Sequence, residues 1–168
     1  MIRNFILAIL TVFSIYSCSD KKNTDPNIMA IELSKSDLEQ FSKQKIFFGH
    51  QSVGYNILDG VNDFSKELSV PINIQETADT ALYDTPVFGH IVIGENTKPK
   101  AKIDHFVNAL DGGLATKVDV AMVKLCYVDI GKDSDVNEVF QYYQERINFL
   151  ENKYPDLTII HFTSPLQL

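Results

Sequence analysis

From residue 36 onward, short apolar runs alternate with longer stretches whose apolar residues recur roughly every three or four positions, the signatures of strand and helix. Ser36-Asp37-Leu38-Glu39 has the spacing of a capping box and predicts a short helix reaching about Gln44. Lys45 to Gly49 reads as a strand with an apolar centre, as expected where both faces are covered. From about Val53 to Leu68, residues Ile57, Leu58, Val61, Phe64 and Leu68 share one face of a second helix. Val70-Pro71-Ile72-Asn73-Ile74 alternates and predicts a second strand, with Pro71 at its entrance. Gln75 to Pro86 is a polar connector, and connectors of that length often carry function. Val87 to Ile93 adds a short strand. Pro99 opens a helix with Ile103, Phe106, Val107 and Leu110 on one stripe, and Asp111-Gly112-Gly113 stops it. Asp119 to Tyr127 holds the best central strand, around Val120-Ala121-Met122-Val123. A last helix, about Asp135 to Lys153, aligns Val136, Val139, Phe140, Tyr143, Ile147 and Leu150 before Pro155, and Leu157 to Phe162 closes as a strand.

Strands alternating with helices in this way predict an α/β domain: an open parallel sheet with helices on both faces, a three-layer sandwich. Every earlier strand is followed by a covering helix, whereas Thr163-Ser164-Pro165-Leu166-Gln167-Leu168 follows the last one. The expectation is a sheet left partly bare on one face, or a domain continued by a segment outside these residues.

Composition narrows the possible functions. At 168 residues and 45% hydrophobic content the chain suits one domain with an ordinary core. A net charge of −7 without a basic cluster argues against nucleic acid as partner. The first 17 residues differ from the rest: Arg3, then a mostly apolar run from Phe5 to Tyr16 that is short for a bilayer span. Ile15-Tyr16-Ser17-Cys18 resembles the lipobox of bacterial lipoprotein signal peptides. That resemblance implies cleavage after residue 17, lipidation of Cys18, and anchoring in the bacterial cell envelope by several acyl chains. A plain secretory signal or an apolar first helix is the alternative. Loss of Arg3 would take the charge from −7 to −8, and with Cys18 lipidated only Cys126 remains, so no internal disulfide forms. Residues 18–35 then serve as a polar tether and 36–168 as the domain.

A parallel sheet places its chemistry where strands end and helices begin. The first such junction reads Gly49-His50-Gln51-Ser52-Val53-Gly54. Ser52 is open to two readings, a helix N-cap or a nucleophile beside the first helical N–H groups. The junction resembles the first block of the SGNH (GDSL-like) hydrolase superfamily, with one residue more than its Gly-Gln-Ser pattern, over about Lys45 to Pro165. The resemblance implies ester hydrolysis by Ser52, with its own N–H and the second block's glycine N–H, here Gly94, as oxyanion donors, and the side-chain amide of Asn96 in the role the family gives to an asparagine of its third block. Asp129 stands where the family's third block has an asparagine, and an ionised carboxylate accepts rather than donates. His50, Gln51 and Asp129 are expected to line the pocket.

The family's base sits in a C-terminal Asp-x-x-His, which these residues lack and which is expected beyond Leu168 in a longer product. Loss of that histidine costs on the order of six powers of ten in turnover. His161, at the end of the last strand, is the in-chain candidate; a strand histidine is as readily a hydrogen-bonded core residue. His90 and His105 read as structural or solvated. No histidine, cysteine or carboxylate cluster has metal-ligand spacing, and no cofactor is expected. Three functions remain open: an esterase acting on a small-molecule or glycan ester such as an O-acetyl group, a non-catalytic envelope lipoprotein that binds a ligand or partner, and an inactive fragment.

Overall fold

A computed structural model of the protein describes residues 33–163. The signal segment, Cys18, the tether up to Glu32 and residues 164–168 therefore lie outside the described residues. The elements are α1 (Lys35–Phe41), β1 (Lys45–His50), α2 (Ser52–Glu67), β2 (Ile74–Glu76), β3 (Val87–Val92), α3 (Pro99–Asp111), β4 (Val120–Val123), α4 (Val136–Lys153) and β5 (Thr158–His161). Three 3-10 turns, Thr80–Asp84, Leu114–Thr116 and Tyr127–Asp129, fill the connections.

The five strands form one parallel sheet in the order β2-β3-β1-β4-β5. β1 supplies the reason for layers on both sides, because its alternate residues enter two separate cores. Phe47 stacks on Phe106 of α3, with ring centroids 5.9 Å apart. Ile46 and Phe48 pack instead with Leu58 of α2, Phe88 and Met122. Each fully buried aromatic of this kind contributes about 1.5–3 kcal/mol. α3 and α4 cover the first face and α2 the second, where Phe41 of α1 also meets Phe88 edge-on.

Boundaries differ from the sequence expectation where side chains compete for backbone groups. The capping box belongs to Ser34 and Asp37, not Ser36 and Glu39: Asp37 accepts from the Ser34 backbone at 3.1 Å while Ser34 Oγ accepts from the Asp37 N–H at 3.2 Å. The expected second strand, Val70 to Ile74, overlaps β2 only at Ile74. Pro71 has no N–H to give a ladder, and pairing to β3 begins with Phe88 N–H donating to Asn73. The expected strand to Tyr127 stops at Val123, since Asp129 turns the chain back on itself. The connector Gln75 to Pro86 is anchored by the fully buried Tyr83, whose hydroxyl fills the space beside Gly89; a Cβ there would lie 1.8 Å from it.

Candidate active site

β1 lies between β3 and β4, so the chain leaves its carboxyl end toward one side and later returns on the other. This is the switch point of an open α/β sheet, where adjacent loops diverge and leave a crevice. Three segments meet there: His50-Gln51-Ser52, the loop Ile93 to Lys98 after β3, and Lys124 to Asp129 after β4. Ile93 N–H donates to the His50 carbonyl and Lys124 N–H to that of Gly49, at 2.9 and 3.0 Å, which binds both loops to β1.

Each residue of the junction has a distinct task. Gln51, not Ser52, is the N-cap of α2, with extended backbone and a carbonyl that accepts from the Gly54 N–H at 2.7 Å. The Gln51 amide reaches across to the carbonyls of Ile93 and Gly94 at 2.5 and 2.8 Å. Ser52 is the first helical residue, exposed, and its hydroxyl makes no hydrogen bond among the described residues. The N-cap reading of Ser52 is thereby set aside.

His50 does not face open solvent. Its ring is wholly buried beneath the start of α2, so close that a Cβ on Gly54 would meet it at 2.1 Å. Its Nδ1 lies 2.7 Å from the Gln51 carbonyl, which only accepts, so Nδ1 carries the proton and Nε2 is an acceptor. His90 Nδ1 then donates to that Nε2 at 3.0 Å. Burial lowers the pKa of both rings, and each also meets the edge of Tyr55. The Gln51 carbonyl thus fixes the His50 tautomer, and His90, of the structural and solvated readings, takes the structural one: it is buried and donates to His50 beneath the serine turn.

Gly94 adopts φ +50, and a Cβ there would lie 2.9 Å from the Lys102 backbone, so the β3–α3 loop rests directly on α3. The Gly94 N–H, expected to face an oxyanion, donates to His105 Nδ1 at 3.1 Å. Asn96 is exposed in the same loop, with Oδ1 accepting from Lys102 Nζ at 2.9 Å. Lys102 and Asp129 form an ion pair whose side chains are both 0% exposed, with contacts of 2.6 and 2.8 Å. Asp129 also accepts from Thr97 N–H at 2.9 Å and Cys126 N–H at 2.7 Å. It is an acceptor throughout, buried rather than lining an open pocket. Lys102 was missed by the sequence reading; its place on the apolar stripe of α3, one residue before Ile103, was the available signal.

His161 closes β5 on the α4 side. Its Nδ1 lies 2.8 Å from the Tyr143 hydroxyl and its Nε2 3.8 Å from Glu151. Burial pushes the Tyr143 hydroxyl up to about 12. A largely apolar cavity of about 590 Å³ opens beside it, walled by Leu125, Val139, Phe140, Ile147 and Phe162; Ser52 does not line it. Among the described residues no group of three or more histidines, cysteines or carboxylates could hold a metal, and no helix is long and apolar enough to cross a membrane.

Compared with family models, with curated proteins and with solved structures, the chain finds no match.

Proposed function

We propose that the crevice at the end of β1 is the site of an SGNH-type serine esterase, acting on an acyl ester such as an O-acetyl group of an envelope glycan. One observation carries the reading: Ser52 stands at the switch point as the first residue of α2, with an exposed hydroxyl that no cap or neighbour uses. In this reading Ser52 Oγ attacks the ester carbonyl, its proton passes to a base, and the carbonyl oxygen becomes an oxyanion. The Ser52 N–H at the positive end of a 16-residue helix and the Asn96 amide are the donors for that oxygen. Gly94 joins them only if its bond to His105 opens. His161 serves as base only after leaving Tyr143 and Glu151.

That last requirement favours a second reading, an envelope protein that binds an ester-bearing ligand without cleaving it. All four histidines of the chain are engaged elsewhere, none on Ser52. Hydrolysis of p-nitrophenyl acetate separates the two. The esterase reading expects Ser52→Ala to fall to the buffer rate; equal turnover by both proteins would leave binding as the function. The lipid anchor at Cys18 belongs to the same proposal, and Cys18→Ser is expected to move the protein from the membrane to the soluble fraction of expressing cells.

A further inference from the structure

Lys102 and Asp129 are charged, wholly buried and outside the reacting groups described above. Stability alone does not explain such a pair, since apolar residues of similar volume usually serve a core as well or better. What the pair does supply is a fixed geometry. The three Lys102 donors are matched by Asn96 Oδ1 and both Asp129 oxygens, and Asp129 fills its remaining capacity with the Thr97 and Cys126 N–H groups. Five positions on two loops and one helix are thus tied through one carboxylate and one ammonium.

The Asn96 amide joins this network through its oxygen, and its nitrogen takes no part in these bonds. An ammonium has donors only, so the Asn96 amide must turn Oδ1 toward it; the flipped amide would set N–H against N–H. Nδ2 is left as a donor on an exposed loop of the crevice. We infer that Lys102, held by Asp129, is a positioning residue: it orients the Asn96 amide so that Nδ2 donates to the carbonyl oxygen of a bound ester. The inference rests on the esterase reading for the identity of the acceptor, and on the hydrogen-bond network alone for the orientation.

Two variants and two readouts test it. Asn96→Asp keeps an acceptor for Lys102 but removes the Nδ2 donor. It is expected to keep the thermal midpoint and KM for p-nitrophenyl acetate while kcat falls about 10²–10³-fold, the usual loss for one oxyanion donor. The double variant Lys102→Met, Asp129→Leu replaces the buried charges with apolar volume. It is expected to fold with a lowered midpoint, because the Thr97 and Cys126 N–H groups lose their acceptor, and to lose about 10²-fold in kcat through a misplaced amide. Wild-type kcat in either variant overturns the role in turnover. The second readout is the heteronuclear NOE of the Asn96 side-chain ¹⁵N, rigid in the wild type and mobile in the double variant. If Ser52→Ala shows that there is no serine-dependent turnover, the esterase reading fails, and the NOE still decides the positioning. An Asn96 amide as mobile in the wild type as in the double variant overturns it.

Discussion

Gly54 and Gly60 lie in the same helix and have opposite reasons to be glycine. A Cβ on Gly54 would enter the His50 ring, whereas one on Gly60 meets nothing within 4 Å. Gly54→Ala is therefore expected to lower the unfolding free energy by about 1–3 kcal/mol, as overpacking does. Gly60→Ala should raise it by about 0.5–1 kcal/mol, because alanine loses less freedom in a helix interior. Urea denaturation of the two single variants checks both signs. The histidine pair beneath that turn brings a pH dependence. Burial is the main cause that holds both rings below their ordinary value, and for His90 the neighbouring His50 acts in the same direction. The unfolded chain takes up protons below about pH 6.5 that the folded state resists. Stability held above that pH is therefore lost as the pH falls through the lowered folded values. The thermal midpoint is expected to drop as the pH falls below about 6.5, and to drop less in His90→Gln. The carboxylates Asp37, Asp84, Glu95 and Asp111, all shifted downward by partners that favour the charged form, act below that window.

At the scale of elements, the helices are held by caps and by one buried pair of unequal importance. Asp135 caps α4 by accepting from the Glu138 N–H at 3.0 Å, and Asp135→Ala is expected to cost about 1 kcal/mol in chemical denaturation. Lys102 ties α3 to the loop after β4 from inside the protein. Lys102→Met alone leaves Asp129 buried with its charge uncompensated, so a loss of about 3–5 kcal/mol is expected, several times that of the cap. Both helices were legible in the sequence, from Pro99 and the Gly112-Gly113 stop for α3 and from Asp135 and Pro155 for α4. Their buried partners were not, because Asp129 lies 27 positions from Lys102 and no local pattern joins them.

Across the whole molecule, apolar surface is unevenly covered. On the face covered by α3 and α4, Phe106, Val107 and Leu110 are fully buried, yet Val136, Phe140 and Phe162, which line the cavity beside α4, remain exposed, Phe140 to 56%. Contiguous apolar surface of this kind attracts apolar ligands. The native protein is expected to enhance anilinonaphthalene sulfonate fluorescence, and Phe140→Ser to reduce that signal while changing the thermal midpoint little, since the side chain is already in water. A dye signal unaffected by the substitution would place the binding surface away from the cavity beside α4.

The α/β class, the parallel sheet and most element boundaries were determined by the sequence alone, because strand and helix periodicity and the Pro and Gly stops are local properties of the chain. The candidate serine was equally legible, since a glycine-flanked polar turn after an apolar run marks the end of a strand wherever the strand lies. Only the tertiary structure decided that β1 sits between β3 and β4 and so makes the His50-Gln51-Ser52 turn the switch point. It also decided that His50 turns inward to His90, that Gly94 spends its N–H on His105, and that Lys102 meets Asp129 and Asn96. The His50–His90 and Lys102–Asp129 contacts join groups 40 and 27 positions apart, and even the nearer ones depend on how the β3–α3 loop folds onto α3; burial and donor–acceptor matching choose these partners only once the sheet and helices have brought them together.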